Sequence, residues 1–300
     1  MEFNKLFLGI DKKSSSNLTY KIGNPPIIKV NNYFCLWSDL LGFGNMWYDC
    51  DWMPRLSQQI KIYERLQRAH SSLLYYSNPF EHDLILNDGI AKVMRSPKKW
   101  STHDLMSLSL YLRQCIEMHI SINKDEAMYG YPGTRSVLAY GMGIEYLTNE
   151  VRYDDYVLNY TKTNGADISN AAQQNSNPIV IYNPKELQMN TAFSKAYMIE
   201  SLGSKVGVYG NNFFIDESLI NSIKKITKGL GIDPIINKID GLDSLLFPYS
   251  INNSNKVYFG FSFQEEIPIT YSNGKWKSKV FLVKRFYPHD EDVNDFCYNL

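Results

Sequence analysis

The chain has 300 residues, 44% of them apolar, and its 31 basic residues balance its 31 acidic ones. This length suffices for one large or two modest domains with a full hydrophobic core. A net charge of zero argues against the general basic field that gathers nucleic acid, although it does not exclude local basic clusters. No apolar run approaches the roughly 20 residues that span a bilayer. We therefore expect a soluble protein without nucleic-acid or membrane partners.

Cysteine usage favours a reducing compartment, so the expected location is the cytoplasm. The four cysteines form no CxxC pair and lie at no metal-ligand spacing to a histidine. Cys35 falls within an apolar run and is expected to be a small core residue. The apolar run KLFLGI near the start is too short for a signal peptide.

The first half of the chain alternates between predicted strands and helices. Its elements are a polar lead-in (1–30), a strand (31–39), a helix (57–77), a hairpin (82–94), a helix (101–122) and a strand (134–147). The first helix is amphipathic, with Ile60, Tyr63, Leu66, Leu73 and Leu74 largely along one side. Asp88-Gly89 is typical of a two-residue hairpin turn.

The second half continues the same mixture. Its elements are a polar loop (148–177), a strand (178–183), a helix (190–203), a strand (205–210), a helix (217–231) and a hairpin or small sheet from residue 256. This order predicts an α+β fold similar to a ferredoxin-like core, an antiparallel sheet with helices packed on one face. We expect one domain over 31–245, with a C-terminal β extension over 246–300 packed on it.

The predicted strand at 31–39 ends on Asp39 and is followed by a turn with two glycines, in the sequence SDLLGFG. Glycine lets the backbone turn tightly and approach a ligand without a Cβ clash. Successive exposed N–H groups in such a turn can hold phosphate oxygens. An ordinary strand end with a turn explains this motif equally well when it is taken alone.

A second carboxylate, Asp88, lies at the predicted hairpin tip, where Asp before Gly is usually only turn chemistry. The pair changes the interpretation, because Asp39 and Asp88 at one end of a sheet can hold divalent cations between them. Mg²⁺ prefers carboxylates together with substrate phosphates. Two such ions activate a hydroxyl and neutralise the charge that develops during in-line displacement at phosphorus.

Four segments together resemble the class III nucleotidyl cyclases and cover about residues 31–230. YFCLWSDLLGFG resembles the family's strand with its metal-binding aspartate, and LILNDGIAKV resembles its metal-binding hairpin. TRSVLAYG resembles the next strand, where Ser136 replaces a glycine, and NTAFSKAYMIES resembles the helix that carries the partner residues. The matching positions in the last two segments are Arg135, Ala139, Gly141, Ala192, Ala196, Tyr197 and Glu200.

The chain is most similar to the stand-alone cyclases of bacterial Pycsar anti-phage systems. The resemblance implies conversion of UTP or CTP to the 3′,5′-cyclic nucleotide (cUMP or cCMP) and pyrophosphate, with the product acting on a separate effector protein. It also implies a head-to-tail homodimer with sites at the interface. Two alternatives stay open: an inactive cyclase-fold module that binds nucleotide, and a purine cyclase that makes cAMP or cGMP.

The resemblance also implies roles for individual residues. Asp39 and Asp88 would bind two Mg²⁺ or Mn²⁺ ions, one of which lowers the pKa of the ribose 3′-hydroxyl. The backbone of the turn would hold the triphosphate, through Leu40, Leu41, Gly42 and Phe43.

The expected transition-state donors differ from those of the purine cyclases, which have Asn and then Arg four residues later. Here Asn190 is followed by Ser194, and the adjacent Lys195 would supply a point charge in place of a bidentate fork. Arg135 is an alternative phosphate contact. Base selection would fall to the aromatic residues after the turn, above all to Tyr48, which fills space and offers a hydroxyl.

Overall fold

A computed structural model describes residues 27–147, 187, 189–231, 235–250, 253–271, 274–288 and 298–299. The chain divides into two compact units. One, Met1–Val30 with Ile144–Gln188, is described only at strand residues 27–30 and 144–147 and at Leu187. The other is Asn31–Gly143 with Met189–Leu300. The predicted loop at 148–177 and strand at 178–183 lie outside the described residues.

The described elements alternate between strands and helices. In chain order they are β1 (Ile27–Leu40), α1 (Asn45–Tyr48), α2 (Leu56–Tyr75), β2 (Glu81–Leu86), β3 (Gly89–Ser96), α3 (Thr102–Met128), β4 (Thr134–Leu147), α4 (Thr191–Leu202), a 3-10 helix (Gly203–Val206), β5 (Phe213–Asp216), α5 (Glu217–Gly229), β6 (Ile235–Ile239), β7 (Leu242–Ser250), β8 (Asn253–Tyr271), β9 (Trp276–Tyr287) and β10 (Tyr298–Asn299). No described helix is long and apolar enough to cross a membrane.

These strands form one sheet in the order β2-β3-β1-β4-β5-β9-β8-β7-β6, with β10 paired to β9. β4 and β5 pair in parallel. The pairs β1–β3, β2–β3, β5–β9 and those of the C-terminal strands β6 to β10 are antiparallel. The α+β class with a mainly antiparallel sheet and C-terminal strands is confirmed.

All four predicted helices are confirmed, and two of their ends have local causes. Ser101 caps α3 by accepting a hydrogen bond from the Asp104 N–H. Gly203, with φ of 55°, ends α4. The strand predicted at 205–210 is wrong: the chain there forms the end of the 3-10 helix and a turn, because Gly207 and Gly210 take positive φ. The strand begins only at Phe213.

The helices pack on the sheet through side chains that alternate along β1. Phe34, Leu36 and Leu40 belong to one buried cluster, together with residues of α2, α3 and α5. Trp37 points to the opposite face, where its ring meets Phe193 and Tyr197 of α4 at centroid distances of 5.8 and 5.4 Å. Three helices therefore cover one face of the sheet, and α4 adds a contact on the other.

The buried side of α2 differs from the predicted one. Ile60, Tyr63 and Leu74 are exposed. The buried residues are Ile62, Arg65, Ala69, Ser72 and Leu73. An arginine thus occupies a core position on this helix, which apolar periodicity does not anticipate.

A buried ion pair joins the two strands of the β2–β3 hairpin. Lys92 Nζ lies 2.6 Å from Glu81 Oε1, and both side chains are almost fully buried. Lys92 also donates to the Tyr76 carbonyl at 3.0 Å. Burial raises the pKa of Glu81 to about 7 despite the opposing effect of Lys92. Folding therefore favours the protonated form of Glu81 below about pH 7, and the ion pair with Lys92 forms as pH rises above that value.

The raised pKa of Glu81 predicts a pH-dependent stability. The stabilisation from this group is complete below the ordinary glutamate pKa and is lost as pH rises through about 7. Glu81→Gln imitates the protonated form, so it should reduce the loss of unfolding free energy between pH 5 and pH 8 by about 2 kcal/mol. Urea unfolding at both pH values tests this. The exposed Glu64→Gln is the control, and equal pH dependence in all three proteins would refute the prediction.

Candidate functional site

The two predicted metal-binding carboxylates come together because β1 and β3 are paired neighbours. Asp39 pairs with Gly89, and the Leu40 N–H donates to the Asp88 carbonyl at 3.4 Å. The hairpin turn consists of Asn87 and Asp88, one residue earlier than predicted, since Leu86 pairs with Gly89. Asn87 takes φ of 58° at this turn.

The carboxylates at this site are partly buried, and the nearby arginines do not fully compensate their negative charge. Burial raises the pKa of Asp39 to about 7, and the carboxylates of Glu200 and Asp88 add to this effect. Arg135 and Arg65 act in the opposite direction. Burial likewise raises the pKa of Asp88. A bound cation would relieve this repulsion.

The donor chemistry of this pair fits a hard divalent cation. In the described part of the chain, no group of three or more His, Cys, Asp or Glu residues could hold a metal ion by itself. Mg²⁺ usually takes one or two protein carboxylates and completes its octahedron with water and substrate phosphate. Asp39 and Asp88 match that pattern, with other ligands left to substrate and solvent.

The turn after Asp39 offers fewer backbone amides than predicted. The N–H groups of Leu40, Leu41 and Phe43 donate to the carbonyls of Asp88, Gly133 and Leu40, respectively. Among the described residues, the N–H groups of the two glycines have no hydrogen-bond partner.

The two free amides belong to Gly42 and Gly44. Gly42 has φ of 66°, in the left-handed region that favours glycine. The predicted triphosphate cradle is thereby narrowed from the whole turn to these two N–H groups.

Arg135 lies near the carboxylates but is bound by another side chain. Its Nε and Nη2 atoms donate to Glu200 Oε1 at 3.0 and 2.5 Å, and Nη2 also reaches the Glu200 carbonyl at 3.3 Å. Glu200 is on α4 and contributes to the raised pKa of Asp39. The helix motif contained Glu200, but sequence reasoning assigned it no role at the site.

Asn190 and Lys195 lie elsewhere in the same chain. Asn190 is buried and caps α4, accepting hydrogen bonds from the N–H groups that follow it. Lys195 donates to the Tyr140 carbonyl at 2.9 Å and lies 3.7 Å from Asp216. Tyr140 is five residues along β4 from Arg135, which is about 17 Å at about 3.3 Å per residue. The structure does not bring these two donors to Asp39.

The aromatic residues after the turn differ in accessibility. The Phe43 side chain is 1% exposed and belongs to the hydrophobic core, so only its backbone can contact a ligand. Tyr48 is 64% exposed on α1, with its ring 5.2 Å from that of Trp52. Tyr48 is therefore free to meet a ligand.

Sequence reasoning missed Arg65, which lies directly beneath the turn. Its side chain is 1% exposed, and its Nη2 donates to the Leu41 carbonyl at 2.8 Å. Its partner Glu126 comes from α3. The sequence offered no signal for this arginine, because the apolar pattern of α2 favours the side of Ile60 and Tyr63, whereas the helix buries the side of Ile62, Arg65 and Ala69.

No family model and no curated protein matches the sequence. Among solved structures, the crystal structure of the guanylyl cyclase Cya2 matches with a TM-score of 0.42 and 11% identity, covering 85% of this chain and 93% of that chain. The crystal structure of the adenylyl cyclase CyaB from P. aeruginosa matches with a TM-score of 0.39 and 10% identity, covering 85% of this chain and 95% of that chain. Both likenesses are too distant to assign this chain an activity.

Proposed function

We propose that the chain is a class III nucleotidyl cyclase that converts UTP or CTP to the 3′,5′-cyclic nucleotide and pyrophosphate. The observation that carries this proposal is the pair formed by Asp39 near the end of β1 and Asp88 in the turn before β3, beside a turn with two free glycine amides. Residues 31–245 would form the catalytic part, and residues 246–300 would extend the same sheet. The cyclic product would signal phage infection to a separate effector in the cytoplasm, as the Pycsar resemblance implies.

Each part of the site has a proposed task. Asp39 and Asp88 would hold two Mg²⁺ or Mn²⁺ ions, which supply charge neutralisation and a lowered pKa for the ribose 3′-hydroxyl. The N–H groups of Gly42 and Gly44 would bind phosphate oxygens. Tyr48 would contact the pyrimidine base. Release of pyrophosphate would follow attack of the 3′-oxygen on the α-phosphorus, with the hydroxyl proton leaving to solvent.

In a homodimer, the predicted transition-state donors that lie far from Asp39 would have a function. Because Lys195 contacts β4 at Tyr140, far from Asp39 of the same chain, it would act on the site of a second subunit. Asn190 is buried as the cap of α4, so it would act only by positioning that helix. Arg135 would stay a positioning partner of Glu200 and a nearby positive charge. This division of labour agrees with the head-to-tail dimer that the resemblance implies.

Product analysis tests the activity. With Mn²⁺ and high protein concentration, radiolabelled UTP or CTP should yield a cyclic nucleotide and pyrophosphate, while ATP and GTP should stay intact. The product is separated by chromatography and compared with authentic 3′,5′-cyclic standards. A cyclic purine nucleotide as the product would show that the substrate is ATP or GTP. Survival of all four nucleotides would refute the cyclase activity.

Two observations favour the inactive binding module as the second candidate. Ser194 stands where the purine cyclases have Arg, and Glu200 already engages Arg135. Such a module would bind UTP or CTP without consuming it. Calorimetry that shows tight binding together with zero turnover would decide for this candidate.

A further inference from the structure

Arg65 connects four separate parts of the protein beneath the glycine turn. Its guanidinium binds the Glu126 carboxylate through Nε, at 3.1 and 3.0 Å, and through Nη2, at 2.5 Å. Nη2 also donates to the Leu41 carbonyl at 2.8 Å, and the Tyr131 ring lies 4.4 Å from the guanidinium carbon. With its side chain 1% exposed, Arg65 itself is out of reach of a substrate.

The contact with the Leu41 carbonyl determines where the next amide points. The carbonyl of Leu41 and the N–H of Gly42 belong to one planar trans peptide, in which the two groups point in opposite directions. Because the carbonyl is directed at the buried Arg65, the Gly42 N–H is directed away from it. This N–H has no hydrogen-bond partner among the described residues.

We propose that Arg65 is a positioning residue that fixes the Leu41–Gly42 peptide so that the Gly42 amide binds the polyphosphate of the substrate. This inference rests on the proposed function. Arg65 acts through the turn and touches neither substrate nor metal. Arg65 is thus a buried residue of the site that lies outside the sequence motif of the turn.

The shape of the guanidinium explains why this position needs arginine. One planar fork binds the carboxylate of Glu126 and the carbonyl of Leu41 at the same time. Lysine would keep the positive charge for Glu126, but a single ammonium lacks the rigid fork that spans both acceptors. Arg65→Lys therefore keeps the charge balance with Glu126 and removes the contact that orients the turn.

The test measures binding of inorganic tripolyphosphate with Mn²⁺ by calorimetry, together with steady-state kinetics on the nucleotide that the wild type consumes. Arg65→Lys should weaken tripolyphosphate binding about tenfold and raise KM by a similar factor, with a smaller change in kcat. Arg68→Lys is the matched control, because Arg68 lies about one helical turn further along α2 and its guanidinium carbon is 3.8 Å from the centre of the Tyr129 ring. Its binding and kinetics should equal those of the wild type.

A second measurement applies if Arg65→Lys folds poorly. In the variant with Arg65→Gln and Glu126→Gln, no buried charge is left unpaired. In protein labelled with ¹⁵N-glycine, tripolyphosphate should shift the Gly42 amide resonance of the wild type, and this shift should be lost in the double variant.

The possible results are distinguishable. Unchanged binding in Arg65→Lys, an equal loss in Arg68→Lys, or no tripolyphosphate binding by the wild type would each overturn the role of Arg65. If the wild type binds tripolyphosphate and Arg65→Lys weakens that binding, but the wild type turns over no nucleotide, the positioning role stands and the proposed cyclase activity fails.

Discussion

Asp39→Asn and Asp88→Asn should each reduce metal-dependent pyrophosphate release by at least about 10³-fold, which corresponds to about 4 kcal/mol of lost transition-state stabilisation. The amide is a neutral and weaker ligand, so the divalent cations would no longer be held beside the turn. Coupled pyrophosphate detection with UTP and CTP, over a range of Mn²⁺ concentrations, measures the effect. The largest loss is expected at low Mn²⁺.

The same substitution should stabilise the metal-free protein. The pKa of Asp39 is raised to about 7, so its folded state favours the protonated carboxyl, and the ionised form is destabilising at pH 8. Asp39→Asn should therefore raise Tm at pH 8 in the presence of a chelator, and this gain should shrink towards pH 5, where the wild-type group is protonated.

The exposed Asp49→Asn is the control for both measurements, because it lies close in sequence and outside the proposed site. Its turnover and Tm should match those of the wild type. Retention of activity in Asp39→Asn would exclude this carboxylate as a metal ligand. A lower Tm at pH 8 would show that the ionised carboxylate is stabilising, contrary to the raised pKa.

Gly89→Ala should destabilise the fold beside Asp39. A Cβ at Gly89 would overlap the Cη2 and Cζ2 atoms of Trp37. Trp37 cannot move aside, because its ring is 5% exposed and packs against Phe193 and Tyr197 of α4. Since Gly89 pairs with Asp39, we expect a loss of about 2–3 kcal/mol in stability and a displaced carboxylate pair.

A double-mutant cycle tests this contact. Trp37→Leu removes the ring atoms that the new methyl group would meet, so Gly89→Ala should cost far less in that background. Urea unfolding of the four proteins gives the coupling free energy. Additive effects would mean that the ring of Trp37 does not limit the space at Gly89.

Each of the two carboxylates was predictable by itself, because its place at a strand end or a turn depends on a local pattern. An apolar strand that ends on Asp39 and a hairpin signal at Asp88 both survive in the structure, with the turn shifted by one residue. Their proximity comes from the pairing of β1 with β3, two strands that are distant in the chain and are not joined by a hairpin turn. The C-terminal hairpin was predictable from two apolar runs on either side of a glycine turn.

The buried side of α2 was not predictable from periodicity. Apolar residues such as Ile60 and Tyr63 are exposed, whereas Arg65 is in the core. An arginine is tolerated there only because Glu126, which lies 61 positions away on α3, balances its charge. The availability of individual turn amides likewise depends on distant partners, such as the Gly133 carbonyl that engages Leu41.

Local sequence patterns predict the α+β class, most of the helices, and a carboxylate before a glycine turn, because these features follow from apolar period, capping and turn chemistry among near neighbours. The structure was needed to find that β1 pairs with β3, that Glu200 and Arg135 form an ion pair beside Asp39, that Lys195 lies elsewhere, and that the turn offers the amides of Gly42 and Gly44. These features depend on contacts between residues distant in the chain, whose partners no local pattern specifies.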